Sequence, residues 1–434
     1  MLSRRPVHCF RPWSRKFISS YLCRTPEPAS PELAQLLATH AQHAPQPLTL
    51  GSLLSLGRPL TSESILASAQ IVQTEMPRRL AMRIRSLEGL PFIVGTNPHI
   101  ARILEGFRKN FLWSASYPPI TNIEENSVFT SQLENLVRDH ANDIPTIAKG
   151  FQECQRYMSA EAISSFLDAA IRNRIAVRLI AEQHVALTHA LNNPDGLQDH
   201  LGVIDMNLSP VKMLKMCASF VAELCEASLG ASPSLIIDGH TEARFAYVPV
   251  HLEYVVTELL KNAFRATVER HHSGSSTSLP PVQVTVSLPS APPSMSGLAQ
   301  ITSPTRPRML HIRIRDRGGG VAPVHIPHIF AYSFTTAGRN AVHALADEDE
   351  LDGPYAAQHV GGGAAVGSDL FGEIAGKGVQ TGMGTIAGLG FGLPMSRLYA
   401  QYFGGSLELF SLDGWGCDVL LKLRCLDHAE DAEI

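Results

Sequence analysis

Between about residue 50 and residue 230, apolar positions recur every three or four residues and glycine is sparse, a pattern that predicts amphipathic helices. In SQLENLVRDHANDIPTIAKGF the stripe is Leu133, Leu136, Val137 and Ile144. It continues in the next stretch as Ile163, Phe166, Leu167, Ala170 and Ile171. Helices of this length bury such stripes most simply against one another, so a helical N-terminal domain packed as a bundle is expected. The second half changes character. HLEYVVTELLKNAFRATVER reads as one strong helix, whereas VQVTVSL, MLHIRIR and VLLKLR alternate with the period of two of half-buried strands. Helices interleaved with strands that present one apolar face predict an α/β sandwich.

Two stretches interrupt this pattern. Residues 280–307 hold seven prolines and read as a Pro-rich insertion, spanning about 271–308, between two strands. Residues 361–392 hold 12 of the 33 glycines, and the stretch over about 337–387 is too long for a plain connection and reads as either a lid or disorder. The chain has 434 residues, 44% of them hydrophobic, which suits two or three domains with real cores, and no apolar run reaches the roughly 20 residues of a membrane span. The formal charge is −4, but six basic residues (Arg4, Arg5, Arg11, Arg15, Lys16, Arg24) precede the first acid, Glu27. Without residues 1–24 the balance is −10, and an acidic body of this kind is a poor nucleic-acid binder. The Arg-rich, acid-free opening, residues 1–24, resembles a mitochondrial presequence. The seven cysteines are scattered without a C-x-x-C pair, which fits a reducing compartment and argues against a zinc site.

Three segments carry candidate chemistry. On the helix around Glu258-Leu-Leu-Lys-Asn262-Ala-Phe-Arg265, Glu258 and Asn262 share a face one turn apart, beside an apolar face of Val255, Leu259 and Ala263. An amide oxygen is a hard ligand for Mg²⁺ and a carboxylate can take a proton; the plain alternative is a solvated helix face. In the strand ending at Asp316, Leu310, Ile312 and Ile314 share a buried parity on which Asp316 also falls, followed by Gly318, Gly319 and Gly320. A buried carboxylate needs a donor, which a purine amino group would supply, and the glycines let backbone approach a flat ligand; an Asp that merely opens a turn is the plain alternative. The third segment is Gly388-Leu389-Gly390-Phe391-Gly392-Leu393-Pro394. Its alternate glycines run into a helix start, where unpaired N–H groups and the positive dipole end can hold phosphate; a flexible linker is the alternative. There is no G-x-x-x-x-G-K-[ST] loop and neither H-R-D nor D-F-G, which excludes the usual protein-kinase fold.

E-x-x-K-N, D-x-G-G-G and G-x-G-x-G-L, in this order, resemble the three nucleotide boxes of the GHKL ATP-binding superfamily. Within it the chain is similar to the mitochondrial 2-oxo acid dehydrogenase kinases, the group containing pyruvate and branched-chain 2-oxo acid dehydrogenase kinases. LPFIVGTNPHI, LVRDHANDIPTIAKGFQEC, RIAVRLIAEQH and YVPVHLEYVVTELLKNAFRATVE carry the likeness outside the boxes. The resemblance implies an α+β, two-domain fold: a four-helix bundle over 50–230, then a GHKL (Bergerat-type) α/β sandwich over 231–434. It implies a protein-serine kinase of the mitochondrial matrix that phosphorylates and inactivates the dehydrogenase component of a 2-oxo acid dehydrogenase complex, using ATP and Mg²⁺, with K⁺ a further candidate. Lipoyl domains of the acyltransferase core and a second copy of the chain are the implied partners. Carried over by position, Glu258 is the general base, Asn262 the Mg²⁺ ligand, Lys261 and Arg265 neighbours of the phosphates, and Asp316 the adenine anchor with Gly318 and Gly320 beside it. Thr335 and Thr336 line the nucleotide site, and Gly388, Leu389, Gly390, Phe391, Gly392 and Leu393 wrap the phosphates from the ATP lid.

The chain departs from the family pattern in three places. Tyr254 stands where some members have a His one turn before the Glu, Cys417 stands where many have Thr, and the chain stops at Ile434 without the Asp-Trp tail of animal pyruvate dehydrogenase kinases. Tyr254, DGHTEARF and the short end lean toward the branched-chain type. An ATP-hydrolysing conformational machine and a histidine kinase are the alternatives. His184, in RLIAEQHVALTH, is read as a packing residue rather than a phosphorylated one, and His140 is assigned no catalytic part.

Overall fold

The computed structural model describes residues 30–139, 143–192, 199–271, 278–289, 308–332 and 390–425. The presequence, His140, most of the Pro-rich insertion, the 337–387 stretch, Thr335, Thr336, Gly388 and Leu389 lie outside the described residues.

The first part is helical: α1 (Pro31–His40), α2 (Leu50–Ser55), α3 (Ser62–Glu88), α4 (Phe92–Gly95), α5 (Pro98–Ala115), α6 (Ile123–Asp139), α7 (Asp143–Glu153) and α8 (Ala160–Asn192). Local chemistry sets several starts. Thr61 caps α3 by accepting the Ser64 N–H in a capping box, and Asn97 accepts the His99 N–H at 3.0 Å just before Pro98 opens α5. α3 packs on α5 and α8, α5 on α7, and α6 on α8. Most of the sequence stripe is the buried face: Leu133, Leu136, Val137, Ile163, Leu167, Ala170 and Ile171 are in the core, and Ile144 and Phe166 are half-buried at its edge.

Two short strands that the helical pattern did not predict follow, β1 (His200–Leu201) and β2 (Ile204–Leu208), and β4 (Phe245–Tyr247) joins them in a small antiparallel sheet. α9 (Pro210–Leu229), capped by Ser209 and closed by Gly230 at φ +75°, packs along α10 (Pro249–His271). The last helix of the 50–230 stretch therefore shares its core with the second half.

The main sheet runs β3 (Leu235–Gly239), β5 (Val282–Ser287), β6 (Met309–Arg315), β8 (Gly416–Arg424), β7 (Ser406–Leu412), with β3 parallel to β5 and every other pair antiparallel. Register places Val284 opposite Ile314 and Val286 opposite Ile312. It also sets Leu310, Ile312 and Ile314 opposite Leu423, Leu421 and Val419, so one face is a continuous apolar layer under α10. α11 (Gly392–Tyr402) lies beside α10 and touches α8 as well as β7, bringing the two halves together. Among the described residues no helix is long and apolar enough to cross a membrane, and none of their His, Cys, Asp and Glu side chains group as a metal site.

Candidate functional site

α10 carries the first segment. Its helical period puts Val255, Leu259 and Ala263 into the core as expected, but Glu258 and Lys261 are also buried, at 8% and 4% exposure. The burial is tolerable because the two charges pair: Lys261 Nζ donates to Glu258 Oε1 at 3.0 Å. The solvated-face alternative therefore fails for Glu258. Asn262, one turn on, is exposed, and Arg265 donates from Nε to Glu269 Oε1 at 2.8 Å. Thus Lys261 and Arg265, carried over as neighbours of phosphates, are held here by carboxylates on their own helix.

β6 brings the second segment to the same helix. Asp316 lies on the buried parity at 9% exposure, and its Oδ1 accepts from Gly318 N at 2.8 Å and Cys417 N at 3.2 Å. The donor the carboxylate needs is partly supplied by backbone, as in an Asp-initiated turn. Burial still pushes its pKa above the usual carboxylate value, against the lowering effect of those two bonds. A Cβ on Gly318 would stand 2.4 Å from the Cβ of Ala266 on α10, and one on Gly320, at φ +77°, would stand 2.3 Å from Leu412 O. The glycines of this loop are required because α10 and β7 press on its backbone.

The third segment closes on the first. Gly390 has φ +76°, Phe391 is buried, and α11 begins at Gly392 with no side chain capping its first turn. A Cβ on Gly392 would lie 2.3 Å from Glu258 Oε2. The carboxylate is thus bracketed by Lys261 on one oxygen and the glycine turn on the other. Tyr254, one turn before Glu258, directs its hydroxyl to Met395 Sδ of α11 at 3.5 Å, and burial raises its pKa. Of the carried-over residues, Glu258, Lys261, Asn262, Arg265, Asp316, Gly318, Gly320 and Gly390–Leu393 fall on three segments that meet around α10. Sequence reasoning missed Tyr332, whose hydroxyl donates to Asp168 Oδ1 of α8 at 2.6 Å and whose ring packs on Phe391. Its place next to the FTTA stretch was the only local signal.

A buried carboxylate, an exposed amide, a buried Asp at a strand end and a glycine turn opening a helix, over one mixed sheet, are the arrangement that the three segments lead one to expect of a nucleotide-binding ATPase domain. Residues 247–426 match the model described as histidine kinase-, DNA gyrase B- and HSP90-like ATPase, and residues 47–205 match that of mitochondrial branched-chain alpha-ketoacid dehydrogenase kinase. The chain is 28% identical over 387 residues to the mitochondrial pyruvate dehydrogenase (acetyl-transferring) kinase of Arabidopsis thaliana, covering 88% of this chain and 92% of that protein. It is 27% identical to mouse pyruvate dehydrogenase kinase isozyme 4 (89% and 82% covered) and 28% identical to mouse isozyme 1 (89% and 79%). The two halves of the chain are thus similar, in order, to the helical model of a mitochondrial 2-oxo acid dehydrogenase kinase and to a GHKL-type ATPase domain, and the relatives that span it are mitochondrial protein kinases.

Proposed function

We propose that the protein transfers the γ-phosphate of ATP to a serine of the dehydrogenase component of a 2-oxo acid dehydrogenase complex in the mitochondrial matrix, inactivating it. The observation that carries this reading is the Glu258 carboxylate, buried beside Lys261 at 3.0 Å and facing the uncapped start of α11. A serine hydroxyl is a weak nucleophile, and a carboxylate that accepts its proton as the new bond forms is the role for Glu258. Lys261 holds that carboxylate in place. The N–H groups at the start of α11 and the Gly388–Leu393 turn suit the phosphates, since phosphoryl transfer asks chiefly for positioning and charge stabilisation. Asp316 offers its Oδ2 to an adenine amine while Oδ1 takes the two backbone bonds, and Gly318 and Gly320 let its loop pack closely on α10 and β7.

The donor set also fits a magnesium ion: Asn262 presents a hard amide oxygen, exposed and one turn from Glu258. Mg²⁺ bound there supplies neutralisation of charge on the phosphates. Thr335, Thr336, Gly388 and Leu389 join the site on the resemblance alone, as does K⁺, whose test is activity in K⁺ against Na⁺. Packing of α3, α5, α6 and α8 supports the four-helix reading of the first domain. The division at residue 230 follows the change of pattern, with α9 belonging by packing to the second domain. A homodimer would cover the outer face of the sheet, where Phe410, Leu412 and Trp415 are exposed, and lipoyl domains are the remaining proposed partner.

The two candidate substrates separate in one experiment: labelled phosphate transfer from ATP to purified pyruvate and branched-chain dehydrogenase components, side by side. Tyr254 and DGHTEARF favour the branched-chain component. Transfer to neither, with ATP hydrolysis indifferent to both, would replace the kinase with an ATP-driven conformational machine.

A further inference from the structure

The long helix α8 belongs to the helical part, yet Asp168 on it reaches across 164 residues of sequence to the nucleotide side. Its Oδ1 accepts the Tyr332 hydroxyl at 2.6 Å, a charge-assisted bond at the short end of the O–H···O range. Tyr332 is buried, and its ring meets that of Phe391 edge to face at 5.0 Å between centroids. Phe391 is the residue before Gly392, whose backbone lies against Glu258 Oε2. Phe330, two residues before Tyr332, lies under the Arg397 guanidinium of α11 at 4.4 Å. A continuous set of contacts therefore runs from α8 through Tyr332 and Phe391 to the carboxylate on α10. Asp168 and Tyr332 lie outside the three nucleotide segments.

We propose that Asp168 and Tyr332 are positioning residues of the nucleotide site, acting from the helical part through Phe391 on the Gly390–Leu393 turn. The inference rests on the reading of that turn as part of the ATP site. Its physical basis is directional. The hydroxyl bond fixes Tyr332 in the plane where its edge supports the Phe391 ring, and the Phe391 backbone sets where the first N–H groups of α11 point. Loosening that bond spreads the turn over several arrangements, only some of which suit a nucleotide, so affinity falls in proportion to the competent fraction. It leaves Glu258 and Lys261 in place, so the chemical step is spared. A displacement of α8 near Asp168 would reach the nucleotide site by the same route.

The test uses the full chain with a non-hydrolysable ATP analogue for binding and labelled transfer for kcat and KM. Tyr332→Phe removes only the hydroxyl and is expected to raise the analogue Kd and the KM for ATP about fivefold, with kcat within twofold. Asp168→Ala should do the same, Asp168→Asn, which keeps an acceptor oxygen, should restore most of the affinity, and the double variant should be no weaker than either single. Nucleotide affinity unchanged in Tyr332→Phe and Asp168→Ala, or a melting temperature that falls while KM stays put, would reduce the contact to a structural tether and overturn the inference. Effects that add in the double variant would also overturn it. Failure of the wild-type chain to bind the analogue would instead remove the ATP reading itself, so the two failures are distinct.

Discussion

α8 and α10 both run through the interior and both bury polar side chains, but they do so in different ways. On α8, Gln183 donates to Leu53 O at 2.9 Å and accepts from Val203 N at 2.8 Å, and His184 sits between Ser68 Oγ at 3.1 Å and Thr130 Oγ1 at 3.5 Å. These groups are neutral and satisfied, and burial lowers the His184 pKa to about 4, so it carries no proton at neutral pH. On α10, Glu258 and Lys261 bury opposite charges against each other, and Glu253 buries a carboxyl whose pKa is pushed up to about 7. Neutral satisfied groups lock a bundle together. Buried charge costs stability that packing alone would not demand, and it is kept where a charge has work to do.

The strongest way to break this contrast is to neutralise one member of the α10 pair. Glu258→Gln keeps shape and is expected to lower kcat about a thousandfold while leaving the KM for ATP within threefold, measured by labelled phosphate transfer. Full activity in that variant would move the base elsewhere. Next in size comes Gly392→Ala, whose new Cβ would be driven onto Glu258 Oε2. A displacement of about 1 Å at a reacting group costs roughly a hundredfold, and that loss in kcat/KM is expected here. Gly95→Ala, with nothing within 4 Å of the added carbon, is the matched control and should change activity less than twofold.

Much of this was legible in the chain and some of it was not, for physical reasons. The 3.6-residue period of α10 and the alternation of β6 placed Val255, Leu259, Leu310, Ile312 and Ile314 inside, and parity alone put Asp316 with them. What the period could not give is depth: Asn262 and Glu258 share a face, yet one is exposed and the other is buried where the start of α11 lies against it. β1 and β2 were missed because strands of two and five residues inside a helical pattern have too few positions to show alternation. The Cys417 contact to Asp316 is made by a backbone N–H, so the residue type there carries no signal. The Asp168–Tyr332 bond joins two residues whose local sequences say nothing of each other.

A smaller effect sharpens the contrast from the α8 side. His184→Gln should leave phosphate transfer within twofold and cost about 1–2 kcal/mol of stability in urea unfolding, the loss of one or two buried hydrogen bonds. The folded pKa lies below the ordinary 6.5. The stability tied to neutral His184 is therefore present above pH 6.5 and drains away as pH falls toward 4, and the variant should lack that part of the acid sensitivity. A well-folded His184→Gln protein that transferred no phosphate would reverse the comparison and revive the histidine-kinase alternative.

Glu253 gives the subtlest case, because its charge sits on α10 without touching the Glu258–Lys261 pair. Burial raises its pKa from 4.5 to about 7, and the nearby Cys217 thiol is pushed up to about 12, first by its own burial and further by the Glu253 charge. With the folded pKa above the unfolded one, the native state binds the extra proton between pH 4.5 and 7, so stability falls across that window and stays low above it. Glu253→Gln removes the titration. Relative to the wild type it should gain about 1–2 kcal/mol as pH rises from 4.5 to 8, below the roughly 3 kcal/mol of the full shift because solvent screens part of it, while the buried amide's own desolvation cost offsets both pH values equally. Urea midpoints at the two pH values decide it. A gain of equal size at both would mean that packing rather than charge is responsible, and Glu253 would then belong with the neutral, satisfied polar groups of α8.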